Sequence, residues 1–398
     1  MSDSASMTSV QLPTGFSVDV ANVGIKDDTD DFVVIASDRP CAATAMFTRS
    51  RFAGPSVVVS RRHTEDHRLQ AIVVVSKNAN VATGAQGLAN AEELATGVAA
   101  ALQIEPSDVL VASTGVIGRQ YPMDKVRAHL GELRWPFTGE DRHDALAAAT
   151  GIMTTDTHPK TAVASLPADA GTATVVGIAK GVGMIEPDMA TMLAFVLTDA
   201  EVPAHELDRI TRSVVARTFN SLSVDTDTST SDTAAVLANG AAGAVDLAEL
   251  EAAIEAVCLD LTRQLARDGE GATKLLVVRV RGARDDDQAK RVAKTVLNSP
   301  LVKTAVHGAD PNWGRVAMAI GKCSDDTDID EAEVRIAFGG AEVYPAPIGD
   351  DELAELERYL RGDEVSIEVD LGISHGAWTV YGCDLSDGYV RINADYTT

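Results

Sequence analysis

Positive charge is scarce in this sequence. Thirty-four lysine and arginine residues face 59 aspartate and glutamate residues, a formal net charge of −25, and the pI is near 4.6. Such a surface repels phosphate backbones, which argues against a nucleic-acid partner. It would attract a cationic substrate, but net charge on this scale bears first on solubility and not on fold. Cysteine is scarce as well. Cys41, Cys258, Cys323 and Cys383 are widely spaced and form no CxxC pair, which fits neither a zinc site nor a dense disulfide framework. Reduced thiols in a cytoplasm are the expectation. No apolar run approaches the roughly 18 residues that a bilayer span requires. The N-terminal MSDSASMTSVQLPTG lacks the basic and apolar regions of a secretion signal. A soluble cytoplasmic protein without a membrane or nucleic-acid partner is therefore expected.

The signatures of several common sites are missing too. There is no GxxxxGK[ST], no HExxH and no GxSxG. KGVGMIE (180–186) begins like a dinucleotide loop, but the sixth position counted from Gly181 is Glu186. DTDTSTSDT resembles a calcium loop only superficially: counted from Asp225, Thr230 stands where glycine is required and Val236 where glutamate is. The eight histidines are scattered, with none paired at metal-ligand spacing. Neither a metal nor a cofactor is implied.

What the chain does have is core-forming sequence. Its 398 residues, 45% hydrophobic and 23% charged, suffice for two or three ordinary domains or one large α/β assembly. The short valine- and isoleucine-rich runs 32–37, 71–76, 108–113, 173–178 and 275–280 read as buried strands. Between them, 91–102, 123–133, 143–153, 206–219 and 248–267 read as helices, 206–219 with the clearest helical spacing. The mixture predicts an α/β or α+β protein. The polar stretch SVDTDTSTSDT (223–233) lies between apolar segments, and SDDTDIDEAE (324–333) reads as a solvated loop. No repeat or long linker marks a domain boundary.

Against these absences stand hydroxyl residues bracketed by glycine, with no obvious histidine base. ASTGVIG (112–118) follows an expected strand and puts Thr114 and Gly115 in a turn, where a glycine can aim a backbone N–H at an oxyanion. Taken alone, the stretch is better read as an ordinary strand-to-helix turn. The second such segment is AKGVGMIEPDMATMLAFVLTDA (179–200), an irregular glycine- and proline-bearing loop that runs into an expected strand at 191–198. Cleavage of the Ala190–Thr191 bond would give Thr191 a free α-amino group beside its own hydroxyl. That amine, with a reference pKa of about 7.7–8.0, could act as the general base near neutral pH.

These residues resemble the ornithine acetyltransferases, also called glutamate N-acetyltransferases. KGVGMIEPDMATML looks like the family's self-cleavage segment. FNSLSVDTDTSTSDT (219–233), HGADPNWGRVAMAIG (307–321) and the terminal INADYTT look like its other signature blocks, in the same order over essentially the whole chain. NANVATG (78–84), STGVIGRQYPM (113–123) and GKCSDDTDID (321–330) look closest to the branch found in the clavulanic-acid biosynthetic cluster. Arginine-pathway members typically carry serine-glycine where this chain has Ser76-Lys77, and glycine where it has Thr226. Arginine biosynthesis and a secondary-metabolite pathway thus both stand as settings.

The resemblance implies an αββα sandwich of two facing sheets flanked by helices, with a smaller C-terminal α/β domain. It implies self-cleavage into an α chain (1–190) and a β chain (191–398) that remain one folded unit and assemble into dimers or tetramers of heterodimers. It implies ping-pong acetyl transfer from N-acetylornithine to glutamate, with Thr191 as nucleophile and Thr114 and Gly115 as the oxyanion pair. Substrate would be held by Thr154, Lys180, Thr191, Glu270, Asn393 and Thr398. Lys180 suits a substrate carboxylate and Glu270 a substrate ammonium; outside the resemblance, Glu270 would read as a helix-end carboxylate. Three rival readings remain: a bifunctional enzyme that also takes acetyl from acetyl-CoA, an N-terminal-nucleophile amidase or aminopeptidase, and a non-catalytic binding protein that keeps the fold.

Overall fold

A computed structural model describes residues 9–26, 28–186, 192–346 and 348–395. Its first part runs β1 (Phe16–Ala21), β2 (Phe32–Phe47), α1 (Pro55–His63), β3 (Arg68–Val75), α2 (Gly84–Leu102), β4 (Val109–Ser113), α3 (Met123–Glu132) and α4 (Ala145–Gly151). β5 (Lys160–Ala168), β6 (Gly171–Lys180) and β7 (Leu193–Glu201) lead to α5 (Ala204–Arg217), β8 (Leu222–Ser223), β9 (Thr233–Ala244) and α6 (Leu247–Arg267). There follow β10 (Leu275–Ala283), α7 (Asp286–Leu297), α8 (Pro300–His307), α9 (Trp313–Gly321), β11 (Arg335–Phe338) and β12 (Ala341–Tyr344). The last elements are α10 (Asp350–Leu360), β13 (Glu364–Asp370), β14 (Gly376–Cys383) and α11 (Asp387–Asp395). All the strands and helices expected from apolar periodicity are present, most with ends that differ by a few residues; β2 runs ten residues beyond the expected 37 and α2 begins seven before the expected 91.

Alternation of apolar side chains explains the layers. An eight-stranded sheet has the order β4-β3-β2-β9-β7-β6-β5, with β1 also paired to β2. The long β2 joins its halves: Phe32–Ala36 pairs with β1 and β3, whereas Ala42–Phe47 pairs with β9. Successive residues of each strand point to opposite faces. Ile72 and Val74 of β3 accordingly enter one core together with Phe195, Ala235 and Leu237 of β7 and β9. Ala71, Val73 and Val75 enter another, under α2 and α3. Ala234, Val236 and Ala238 enter a third, under α5 and α6. The two halves of the sheet therefore face each other across a shared core, with helices outside both. This is the αββα sandwich expected.

α6 shows why such a helix forms. Asp246 caps its first turn by accepting from Ala248 N and Glu249 N. Leu250, Ile254, Val257, Leu261 and Leu265 recur at helical spacing and are buried. Each contributes about 1.5–3 kcal/mol, so packing more than intrinsic propensity holds the helix. Its C-terminal end delivers the turn that carries Glu270. A second sheet, β12-β11-β13-β10-β14-β8, packs against α7, α9 and α10 and forms the smaller C-terminal α/β domain.

One expectation needs correcting. The acidic stretch 324–333 carries no helix or strand, but it is not wholly solvated. Asp326 is buried and accepts from Arg284 at 3.0 Å and Arg291 at 2.6 Å. Charge was legible in the sequence, whereas partners 35 and 42 residues away were not. The four cysteines are free thiols, and Cys41, Cys258 and Cys383 are buried. Among the described residues, no helix is long and apolar enough to cross a membrane.

Candidate active site

The edge of the large sheet brings distant segments together. Lys180, the last residue of β6, lies opposite Leu193, the first of β7, and Leu193 lies opposite Thr233, the first of β9. A cleft of about 130 Å³, open to solvent, lies beside these strand ends. Thr114, Gly115, Thr154, Lys180, Glu270 and Asn393 all line it. They come from five separate parts of the chain. Thr191, Ala190 and Thr398 lie outside the described residues.

Thr114 and Gly115 follow β4 directly. The Thr114 N–H donates to Val75 O at 3.2 Å, so its hydroxyl is the group left to meet a ligand. Gly115 has φ +128°, and a Cβ there would overlap the backbone of Lys77 and Asn78. Glycine is required on both counts. Gly115→Ala should therefore cost about 1–3 kcal/mol of stability through backbone strain. If the Gly115 N–H is an oxyanion donor, displacing it should also lower kcat by roughly 100-fold. A folded variant with unchanged kcat would remove Gly115 from the chemistry.

Lys180 is buried. Its Nζ donates to Thr154 Oγ1 at 2.8 Å and reaches Thr114 Oγ1 at 3.5 Å, with Asp156 at 4.0 Å. Burial lowers its pKa below that of an ordinary lysine, and Asp156 opposes the shift. Burial alone would raise the Asp156 carboxyl, but Lys180 and Lys160 outweigh it and hold the group below the usual range. Glu270 supplies the opposite charge. Its Oε1 accepts from Thr155 Oγ1 at 3.3 Å and its Oε2 from Asn393 Nδ2 at 2.9 Å. Gly183 permits this placement, since a Cβ there would lie 2.5 Å from Glu270 Oε2. Thr154 and Thr155 thus both face the cleft, one toward the cation and the other toward the anion.

The polar stretch 223–233 also has a structural task. The Asp225 carboxylate accepts from Met184 N at 2.6 Å and Ile185 N at 2.7 Å. Asp227 O accepts from Glu186 N at 2.9 Å, and Thr233 N donates to Met192 O at 2.8 Å. This one eleven-residue stretch therefore holds the chain on both sides of residues 187–191. Sequence reasoning weighed Thr155 as the alternative to Thr154, and missed Asp156, Asp225 and Asp268 as parts of the site. The only available signal was their closeness in sequence to Thr154, Thr226 and Glu270.

The ArgJ family model matches residues 17–398. Glutamate N-acetyltransferase Oat2 of Streptomyces clavuligerus is 58% identical over 404 residues, covering 100% of both chains. The arginine biosynthesis bifunctional protein ArgJ of Rhodococcoides fascians is 54% identical over 394 residues, covering 98% of this chain and 96% of that one. A crystal structure of the arginine biosynthesis bifunctional protein argJ from Bacillus halodurans is 42% identical at a TM-score of 0.48; it covers 51% of this chain and 98% of its own. With the family pattern matched over nearly its whole length, this chain belongs to the ArgJ family of acetyltransferases.

Proposed function

We propose that this enzyme moves an acetyl group from N2-acetyl-L-ornithine to L-glutamate through an acetyl ester on Thr191, after cutting its own Ala190–Thr191 bond. The observation that carries this reading is the cleft itself. It sets a buried ammonium, Lys180, and a carboxylate, Glu270, beside the glycine turn at Thr114–Gly115. A cation and an anion in one small cleft suit an amino acid, which carries both charges.

In processing, Thr191 Oγ attacks the Ala190 carbonyl and the peptide bond shifts to an ester. Water then hydrolyses that ester, leaving a carboxylate on Ala190 and a free amine on Thr191. The two chains, 1–190 and 191–398, stay together because β6 and β7 pair in one sheet. In transfer, the Thr191 amine takes the hydroxyl proton as Oγ attacks the acetyl carbonyl. The Thr114 hydroxyl and the Gly115 N–H receive the developing oxyanion. The amine returns the proton to the departing nitrogen of ornithine. The glutamate amine then takes the acetyl group, restoring the Thr191 hydroxyl. Lys180 binds a substrate carboxylate and Glu270 a substrate ammonium.

A double-displacement route has a direct test. Labelled ornithine should exchange into N-acetylornithine without glutamate, and initial rates with both substrates varied should give parallel reciprocal plots. Exchange that strictly requires glutamate would rule out the acetyl-enzyme. Steady N-acetylornithine hydrolysis at full rate without glutamate would favour an amidase. N-acetylglutamate formed from acetyl-CoA and glutamate without N-acetylornithine would add a second activity; several relatives are named bifunctional proteins.

A further inference from the structure

Behind the cleft lies a charged cluster that the transfer chemistry does not use. Lys160, at the start of β5, is fully buried. Its Nζ donates to Asp156 Oδ1 at 2.9 Å, Asp268 Oδ2 at 2.6 Å and His158 O at 3.3 Å. Each carboxylate also holds backbone. Asp156 accepts from Gly181 N at 2.7 Å through Oδ1 and from Thr154 N at 3.1 Å through Oδ2. Asp268 accepts from Thr157 N at 3.0 Å and from the Thr157 hydroxyl. Two residues on, Glu270 N donates to Val182 O at 2.7 Å.

One ammonium therefore ties together the two pieces of chain that carry the opposite charges of the cleft. Asp156 reaches the Thr154 and Lys180–Gly181 side. Asp268 reaches the turn that ends in Glu270. Stability is a poor reason for such a cluster, because taking these ions out of water is costly and apolar residues of the same volume commonly do as well. What directional bonds to one ammonium add is a defined geometry between the two loops. Lys160 bonds both Asp156 and Asp268, leaving Lys180 and Glu270 to interact with a ligand.

We propose that Lys160, bridging Asp156 and Asp268, is a positioning residue that sets the separation of Lys180 and Glu270, and with it the length of diamino acid that the cleft accepts. This rests on reading the cleft as an amino-acid site. A displacement of about 1 Å is enough to cost orders of magnitude in a well-positioned site, so small changes in the cluster should register.

The test is calorimetric binding of ornithine and of its one-carbon-shorter and one-carbon-longer homologues, 2,4-diaminobutyrate and lysine. Wild type, Asp268→Asn and Lys160→Arg are compared, with far-UV circular dichroism and unfolding temperature confirming the fold. Binding of the free diamino acid needs neither acetyl transfer nor chain cleavage. Wild type should prefer ornithine. In the variants, ornithine should bind about tenfold more weakly while its homologues change little, so the preference narrows. Asp268→Asn keeps an acceptor for Lys160 and carries the test if Lys160→Arg does not fold. Wild-type affinity and preference in a folded variant would overturn the proposal, and so would equal weakening of all three ligands, which marks a structural role alone. A wild type that binds none of the three would instead sink the amino-acid reading of the cleft, and this proposal with it.

Discussion

Thr191→Ala should give one uncut chain of about 41.8 kDa with no measurable acetyl transfer, whereas the wild type separates on denaturing mass spectrometry into two chains that part between Ala190 and Thr191. Both losses have one cause. The methyl group of alanine can neither attack the preceding carbonyl nor accept an acetyl group. Removing the attacking group of a nucleophile–base unit costs roughly 10⁴-fold or more in kcat, because the remaining members cannot act without it. Thr191→Ser separates the steps. It keeps an attacking oxygen, so it should still be cut, though more slowly, and should retain some transfer. A single wild-type chain that transfers acetyl at full rate would show that an unmasked N-terminal amine is not required. A cleaved Thr191→Ala would show that the bond is broken by an outside protease.

The fold was legible where burial leaves a strong period. β3 is buried on both faces, so its valine and isoleucine run stood out. α5 buries Leu207, Ile210, Thr211, Val214 and Val215, a stripe that only a helix produces. β9 was not legible. Its sequence TAAVLANGAAGA is rich in alanine and glycine, residues without strand preference, and its place at the centre of the sheet comes from its neighbours. β13 carried a usable signal, since Val365, Ile367 and Val369 alternate with polar residues, but seven residues of alternation in an acidic region are weak alone.

The site divides in the same way. Thr114, Gly115, Lys180 and Glu270 could be named through the family resemblance, although Glu270 and the Thr114–Gly115 turn taken alone read as ordinary structure, and all four line one cleft. Lys160 had no such mark. One lysine in an apolar strand reads as a surface cation, and Asp268 lies 108 positions further along the chain. Ion pairs between distant segments depend on the packing of layers, which no local pattern encodes. The residues of the cleft could thus be picked out through the resemblance, whereas the contacts that hold them could not.

The charge on Lys180 offers the second large effect. Lys180→Met should preserve the fold, because Asp156 keeps Lys160, Gly181 N and Thr154 N as partners. Substrate affinity should suffer much more. Truncating one partner of a desolvated charge pair costs about 2–5 kcal/mol, roughly 30-fold to several-thousand-fold in a dissociation constant. N-acetylglutamate is the useful probe, since its acetylated nitrogen does not titrate in the working range. With wild type, its binding should be strong while Lys180 is an ammonium and should fade as pH rises through the Lys180 pKa. Burial puts that pKa below the ordinary lysine value, so the loss should begin at a lower pH than for an exposed lysine. Lys180→Met should bind weakly at every pH and lack this alkaline limb. If the variant keeps both the affinity and the limb, another cation receives the carboxylate. If it loses affinity but retains the limb, Lys180 shapes the cleft without supplying the charge that titrates.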